Sequence, residues 1–160
     1  MAAVSELRVH KTKTEAEITL AGGSIRSGWF FLAESPMSPT GHERIIDVLN
    51  GASGFVPFAA EREGEFETTL VNAAHVVTAW PKGALGRTQD PGYAVSTPRL
   101  VSLLLSTGER VTGCVQVAHP PGRDRISDYT RVPEQFRYVE MRDRVIIVNM
   151  AHVVELSEVE

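Results

Sequence analysis

The sequence predicts an all-β chain built as two tandem small five-stranded barrels, each carrying one short helix. Three observations predict it. The first is self-similarity: Val71-Asn72-Ala73-Ala74-His75-Val76-Val77 and Val148-Asn149-Met150-Ala151-His152-Val153-Val154 agree at six of seven positions, and a repeated segment of this kind marks a duplicated structural unit. The second is short stretches that alternate apolar and polar residues, the period of a half-buried strand. The third is size. At 160 residues and 17.5 kDa, with 42% apolar residues, the chain has room for one ordinary domain or two very small ones.

Further landmarks keep the same order in both copies. Gly23 and Gly28 match Gly108 and Gly113, Arg44-Ile45-Ile46-Asp47 matches Arg125-Ile126-Ser127-Asp128, and Phe55 matches Phe136. The offset falls from 85 to 81 to 77, each step a four-residue insertion in the first copy that a loop can absorb. The copies therefore span residues 6–80 and 97–158, and the Gly- and Pro-rich segment 81–96 reads as a linker. A unit this small buries only about 60% of its unfolded surface. The two copies are expected to pack on each other or on copies from another chain.

Each copy opens with period-two alternation: Ala16, Ile18 and Leu20 in the first, Val101, Leu103 and Leu105 in the second. Hairpin turns follow at Ala21-Gly22-Gly23-Ser24 and Ser106-Thr107-Gly108-Glu109, where glycine tolerates positive φ. Second strands are expected at Ile25–Ala33 and Arg110–Ala118. Gly28 and Gly113 sit inside them and mark a bulge or sharp bend. Polar loops lead to short helices at Glu43–Asn50 and Asp124–Arg131, with Ile45, Val48, Leu49 and Ile126, Tyr129 on the packing face. Third strands are read at Phe55–Ala59 and Phe136–Glu140, and fourth strands at Thr68–Val71 and Val145–Val148. The Val-Asn-x-Ala-His-Val-Val segments then make a tight turn into fifth strands, Val76–Trp80 and Val153–Leu156.

This layout resembles the Sm-like/SH3-like small-barrel superfamily, in which five bent strands wrap a small core and a short turn joins the last two. The hairpins Leu70–Val77 and Ile147–Val154 sit where Sm-like proteins carry their second motif. The turns Asn72–His75 and Asn149–His152 lack the Arg-Gly or Lys-Gly pair of the RNA-binding members, and the helix lies between the second and third strands rather than before the first. The pattern is also similar to uncharacterised bacterial domains reading G-x4-G, R-[IL]-x-D and V-N-x-x-H-[VI]. The resemblance implies a fold and carries no functional residue.

Charge and composition narrow the function. A net charge of −4 argues against a general polyanion binder. Apolar runs such as Val145–Val148 are too short to span a bilayer, and Met1–Glu15 has no apolar core of a secretory signal, so a cytoplasmic address without membrane insertion is expected. Cys114 is the only cysteine, so there is no intrachain disulfide and no cysteine metal cluster. Mid-strand, it reads as a small apolar packer.

Four groups of residues are candidates for chemistry or binding. Asn72, His75, Asn149 and His152 could place two imidazoles near a metal or a substrate. The structural alternative is that each Asn caps its turn and each His bonds across the hairpin, and one His per copy falls short of the three or four ligands zinc takes. Arg44/Asp47 and Arg125/Asp128 have the i, i+3 spacing of a helical ion pair. The stretch 123–144 interleaves Arg123, Arg125, Arg131, Arg137, Arg142 and Arg144 with Tyr129, Phe136 and Tyr138, the mixture that binds RNA or nucleotides. Six arginines there face five acids, however, and mixed charge is usually a solvated surface. The repeats also differ: Phe30 and Leu32 align with buried-type Val115 and Val117, which puts Trp29 and Phe31 on the opposite face, while Trp80 aligns with Ser157. Trp29, Phe31 and Trp80 thus form the candidate protein interface.

The sequence contains no phosphate-binding loop, nucleophile elbow or zinc-protease motif. The expectation is a non-catalytic protein–protein interaction module, a scaffold or adaptor without cofactor. Its partner is another protein, and sheet edges would also support a homo-oligomer. The alternative is an RNA- or nucleotide-binding protein using residues 123–144.

Overall fold

One pair of matched hairpin turns opens the two runs of strands. The backbone bonds Leu20 N–H to Ser24 C=O and Gly23 N–H to Leu20 C=O close the first hairpin at 2.8 and 2.9 Å. Leu105 to Glu109 and Gly108 to Leu105 close the matching one, both at 2.9 Å. Gly23 and Gly108 adopt φ of 90° and 88°, left-handed conformations that glycine takes without strain. The computed structural model describes residues 11–36, 38, 41–83, 96–117 and 125–160. Residues 6–10, most of the expected linker (84–95) and Arg123 lie outside the described residues.

The first hairpin joins β1 (Lys11–Leu20) to β2 (Ile25–Ala33). Helix α1 (Ile45–Gly51) follows, then β3 (Phe55–Arg62), β4 (Glu65–Asn72) and β5 (Val76–Pro81). The second run has β6 (Thr97–Leu105), β7 (Arg110–Val117), α2 (Ile126–Tyr129), β8 (Phe136–Glu140), β9 (Val145–Asn149) and β10 (Val153–Glu158). All ten strands form one antiparallel sheet in the order β10-β6-β7-β8-β9-β5-β1-β2-β3-β4. The protein is all-β, with two short helices among the described residues. The expected pair of separate barrels is corrected in one respect: among the described residues the sheet is open and continuous, with β4 and β10 at its two ends. The fourth strand of the second run pairs with the fifth strand of the first, through Thr78–Val148 and Ala79–Ile147.

That β5–β9 joint is buried on both sides. Val76 and Ala79 of β5 enter one core cluster with Ile18, Phe30, Leu32 and Phe58, and Phe136 and Ile147 from the second run join it. Val77 crosses into the other cluster, with Leu103, Val115, Ile146 and Val148. The crossing is possible because Val77 is the extra residue of a β-bulge: β1 advances one residue, Thr19 to Leu20, while β5 advances two, Thr78 to Val76. The same slip recurs between β6 and β10 at Val154. Helix α1 clasps the joint as well. The Asn50 side chain accepts from the Phe136 N–H at 2.8 Å and donates to its C=O at 3.0 Å.

Gly28 and Gly113 stand where strands cross closely. A Cβ on Gly28 would lie 2.0 Å from the Ala59 carbonyl oxygen, and one on Gly113 would lie 2.7 Å from that of Glu140. Both helices begin later than expected. Arg44 caps α1 from outside: its N–H donates to Asp47 Oδ2, and its Nε and Nη2 donate to the two carboxylate oxygens, all at 3.0 Å. Arg125 repeats the backbone half of this arrangement, donating to Asp128 Oδ2 at 3.3 Å. Burial alone would raise the Asp47 carboxyl, but its hydrogen bonds to Arg44 and the guanidinium charge outweigh that and hold it below the ordinary value.

Candidate interaction site

The three candidate aromatics share one face of the sheet. Trp29 pairs with Glu15, Phe31 with Lys13 and Trp80 with Glu17, and alternate residues of β1 point the same way. Phe30 and Leu32, on the opposite face, are buried. The rings nevertheless do not form an open apolar patch, because the chain covers each of them. Phe66 of β4 meets Trp29 edge-on, with centroids 4.6 Å apart. The Lys13 ammonium lies 5.8 Å from the Phe31 centroid. Trp80 is flanked by Lys82 Nζ at 3.0 Å and the Arg144 guanidinium carbon at 4.4 Å. All three are half-buried. Long cationic stems and outer-face rings attract one another in this way, since the stem covers apolar surface while the charge sits over the ring.

The arginine stretch is dispersed by the fold. Arg137 is buried on β8 and donates from Nε to the Glu134 carbonyl at 2.7 Å, and from its two terminal nitrogens to the carbonyls of Tyr129 and Val132. Its guanidinium also lies over the Tyr129 ring, 4.5 Å from the centroid. Burial pushes the Tyr129 hydroxyl above its usual pKa, against the opposing charge of Arg137. Arg137 is therefore a strap holding the 129–134 segment, not a surface anion contact. Arg144 is committed to Trp80, whereas Arg125 and Arg142 are exposed. Replacing Arg137 with Met keeps the stem and removes the bonds. It is expected to lower folding stability by about 2 kcal/mol, read in urea denaturation. Unchanged stability would show that the strap carries no load.

Each Asn of the repeated turn caps a short 3-10 turn. Asn72 Oδ1 accepts from Ala74 N–H and Asn149 Oδ1 from Ala151 N–H, both at 3.0 Å. The two turns lie side by side at the joint. His152 Nε2 donates to the Ala74 carbonyl at 2.7 Å, and its Nδ1 is 2.7 Å from Ser106 Oγ. A carbonyl only accepts, so Nε2 carries a proton in this contact. The imidazole is anchored at both nitrogens. His75 stands exposed, and Ala21 occupies the place that Ser106 has beside His152. Among the described residues, no group of three or more His, Cys, Asp or Glu could hold a metal ion, and no helix is long and apolar enough to cross a membrane.

More exposed apolar side chains lie elsewhere. Phe55, Phe66, Leu70 and Val154, 58–67% exposed, sit on β4, on β10 or on β3 beside β4, and Ile25 of β2 is 58% exposed. Two concavities accompany them. One, of about 450 Å³, lies at the joint between Leu49, Asn50, Asn72 and Ala73 on one side and Gln135 and Phe136 on the other. A second, of about 510 Å³, runs under the free edge of β4, lined by Arg26, Phe58, Arg62, Glu67, Leu70 and His75. Sequence reasoning missed this edge. The signal available was the alignment of Phe55 with Phe136 and of Leu70 with Ile147, but the pattern gives both members of each pair the same apolar character. Comparison with protein-family models, with curated proteins and with solved structures finds no match.

Proposed function

We propose that the chain is a non-catalytic protein-binding scaffold of the cytoplasm, built from two half-open five-stranded units similar to Sm-like/SH3-like barrels. One observation carries this reading: among the described residues the sheet ends in strands, β4 and β10, with one unpaired edge each and exposed apolar side chains on them. Unpaired strand ends are templates for further pairing, and proteins ordinarily blunt them with charge, proline or a covering loop. Here β4 presents Phe66 and Leu70, and β10 presents Val154. Of the three outer-face rings, Trp29 borders this surface through its edge-on contact with Phe66.

The test is affinity capture from native lysate with the tagged chain and with a Phe55→Ser/Leu70→Ser double variant. Both side chains are exposed, so the variant should retain the circular dichroism spectrum and lie close to wild type in stability. The wild type is expected to enrich at least one protein that the variant does not. Identical capture sets would remove the edge as a docking surface. RNA binding by residues 123–144 would instead survive the double variant and weaken steeply with salt.

A further inference from the structure

The chain carries a worked example of how its own free edges can pair. At the internal joint, β9 of the second run lies against β5 of the first. The repeat makes β4 the counterpart of β9, and β10 the counterpart of β5. The two free ends of the sheet are thus the two halves of a joint that already exists once within the molecule.

Exposure agrees residue by residue. Phe136, Ile147 and Val77, which fill the internal joint, are 3%, 0% and 0% exposed, whereas their counterparts Phe55, Leu70 and Val154 are 65%, 67% and 64% exposed. Val154 projects from the same bulge position as Val77. Polar partners repeat as well. Asn149 Nδ2 donates to the Val76 carbonyl across the joint at 2.9 Å, and Asn72 and Val153 are the matching donor and acceptor. His152 reaches the Ala74 carbonyl, and His75 with Ala151 is the matching pair. Of the four carboxylates on the two edge strands, Glu67, Glu155 and Glu158 lie 3.7–3.8 Å from arginines within the chain, and Glu65 sits at the start of β4, away from Leu70.

From this we propose that the chain assembles head to tail, β4 of one copy adding antiparallel to β10 of the next in the register of the β5–β9 joint. The proposal rests on the scaffold reading and names its partner as a second copy. Such a contact joins two different surfaces, so it produces a ring where the rotation closes and a filament where it does not. The Asn50 clasp has no equivalent, because Arg131 stands in its place. The joint between chains is accordingly weaker than the internal one, and assembly should depend on concentration.

Sedimentation velocity on the purified chain tests this, with wild type, Leu70→Glu and Val154→Glu. Each substitution puts a charge into one half of the joint and leaves the other half native. Wild type should form species at multiples of 17.5 kDa that grow with concentration. Each variant alone should associate about a hundredfold more weakly. An equimolar mixture of the two should give dimers and nothing larger, since only the β4 edge of Val154→Glu and the β10 edge of Leu70→Glu remain compatible. Circular dichroism checks folding, and Leu70→Thr with Val154→Thr replace any variant that fails it. Wild type at the chain mass at every concentration overturns the proposal. So does self-association of either variant alone as strong as that of wild type, which would mean like edges pairing, or a mixture that stays monomeric. A monomeric purified chain that still captures a protein through its edge overturns self-assembly but leaves the scaffold reading standing. Failure of both experiments removes both.

Discussion

Gly28→Ala is expected to lower folding stability by about 3 kcal/mol, at the upper end of what overpacking costs. For a chain of this size that is a fall of roughly 6–12 °C in Tm. The added methyl carbon would lie 2.0 Å from the Ala59 carbonyl oxygen and 2.9 Å from a Phe58 ring carbon. A flexible side chain could swing aside, but a ladder carbonyl cannot. β2 and β3 would have to part where their pairing is only three residues long, Gly28–Ala60, Trp29–Ala59 and Phe30–Phe58. Phe30 and Phe58 are both buried, with centroids 5.1 Å apart, so parting the strands opens the first core. Gly113→Ala should cost less, because its nearest backbone atom is 2.7 Å away. Thermal and urea unfolding of the two variants give the comparison. A Gly28→Ala protein as stable as wild type would mean that β2 does not bend across β3 at that distance.

Those glycines show what a sequence can convey. A glycine inside an apolar strand, repeated at the same step after the same turn, has few structural explanations, and both copies keep it. Strands with one buried face were similarly readable, because burial of alternate residues leaves a period of two. β4 was read too short for the complementary reason. Its first six residues, Glu65–Leu70, are all exposed, so neither face imposes an apolar period on Glu-Phe-Glu-Thr-Thr. Both helices start later than their pattern predicts, since Arg44 and Arg125 stand outside them as caps and have no helical periodicity to display.

Sheet closure was not readable at all. Val71 and Val148 occupy the same place in the same motif, yet Val148 is buried and Val71 is not. The difference is which strand lies alongside, a long-range fact that no local pattern encodes. The aromatic excess of the first copy drew attention to Trp29, Phe31 and Trp80 for the same reason. Their covers, Phe66, Lys13, Lys82 and Arg144, come from other strands or turns. A ring that looks free along the sequence is half-buried once β4 folds back beside it.

The duplicated asparagines turn that asymmetry into a measurement. Asn149→Ala is expected to cost about 3 kcal/mol, and Asn72→Ala about 1 kcal/mol, in dilute solution. Both side chains cap a 3-10 turn by accepting from the N–H two residues on, and losing a cap of this type costs about 1 kcal/mol. Only Asn149 is fully buried. It also accepts from Gln135 Nε2 at 3.0 Å and donates to the Val76 carbonyl at 2.9 Å. Truncation leaves the Val76 carbonyl without that donor at the centre of the joint, and a buried polar group stripped of its partner costs about 1–3 kcal/mol in addition to the cap. Urea denaturation at micromolar protein separates the two contributions. Equal losses would mean that the joint gains nothing from the bond to Val76, and that the turn alone accounts for both residues. If the gap between the two variants narrows as protein concentration rises, the Asn72 side chain is gaining a partner that the isolated chain does not supply.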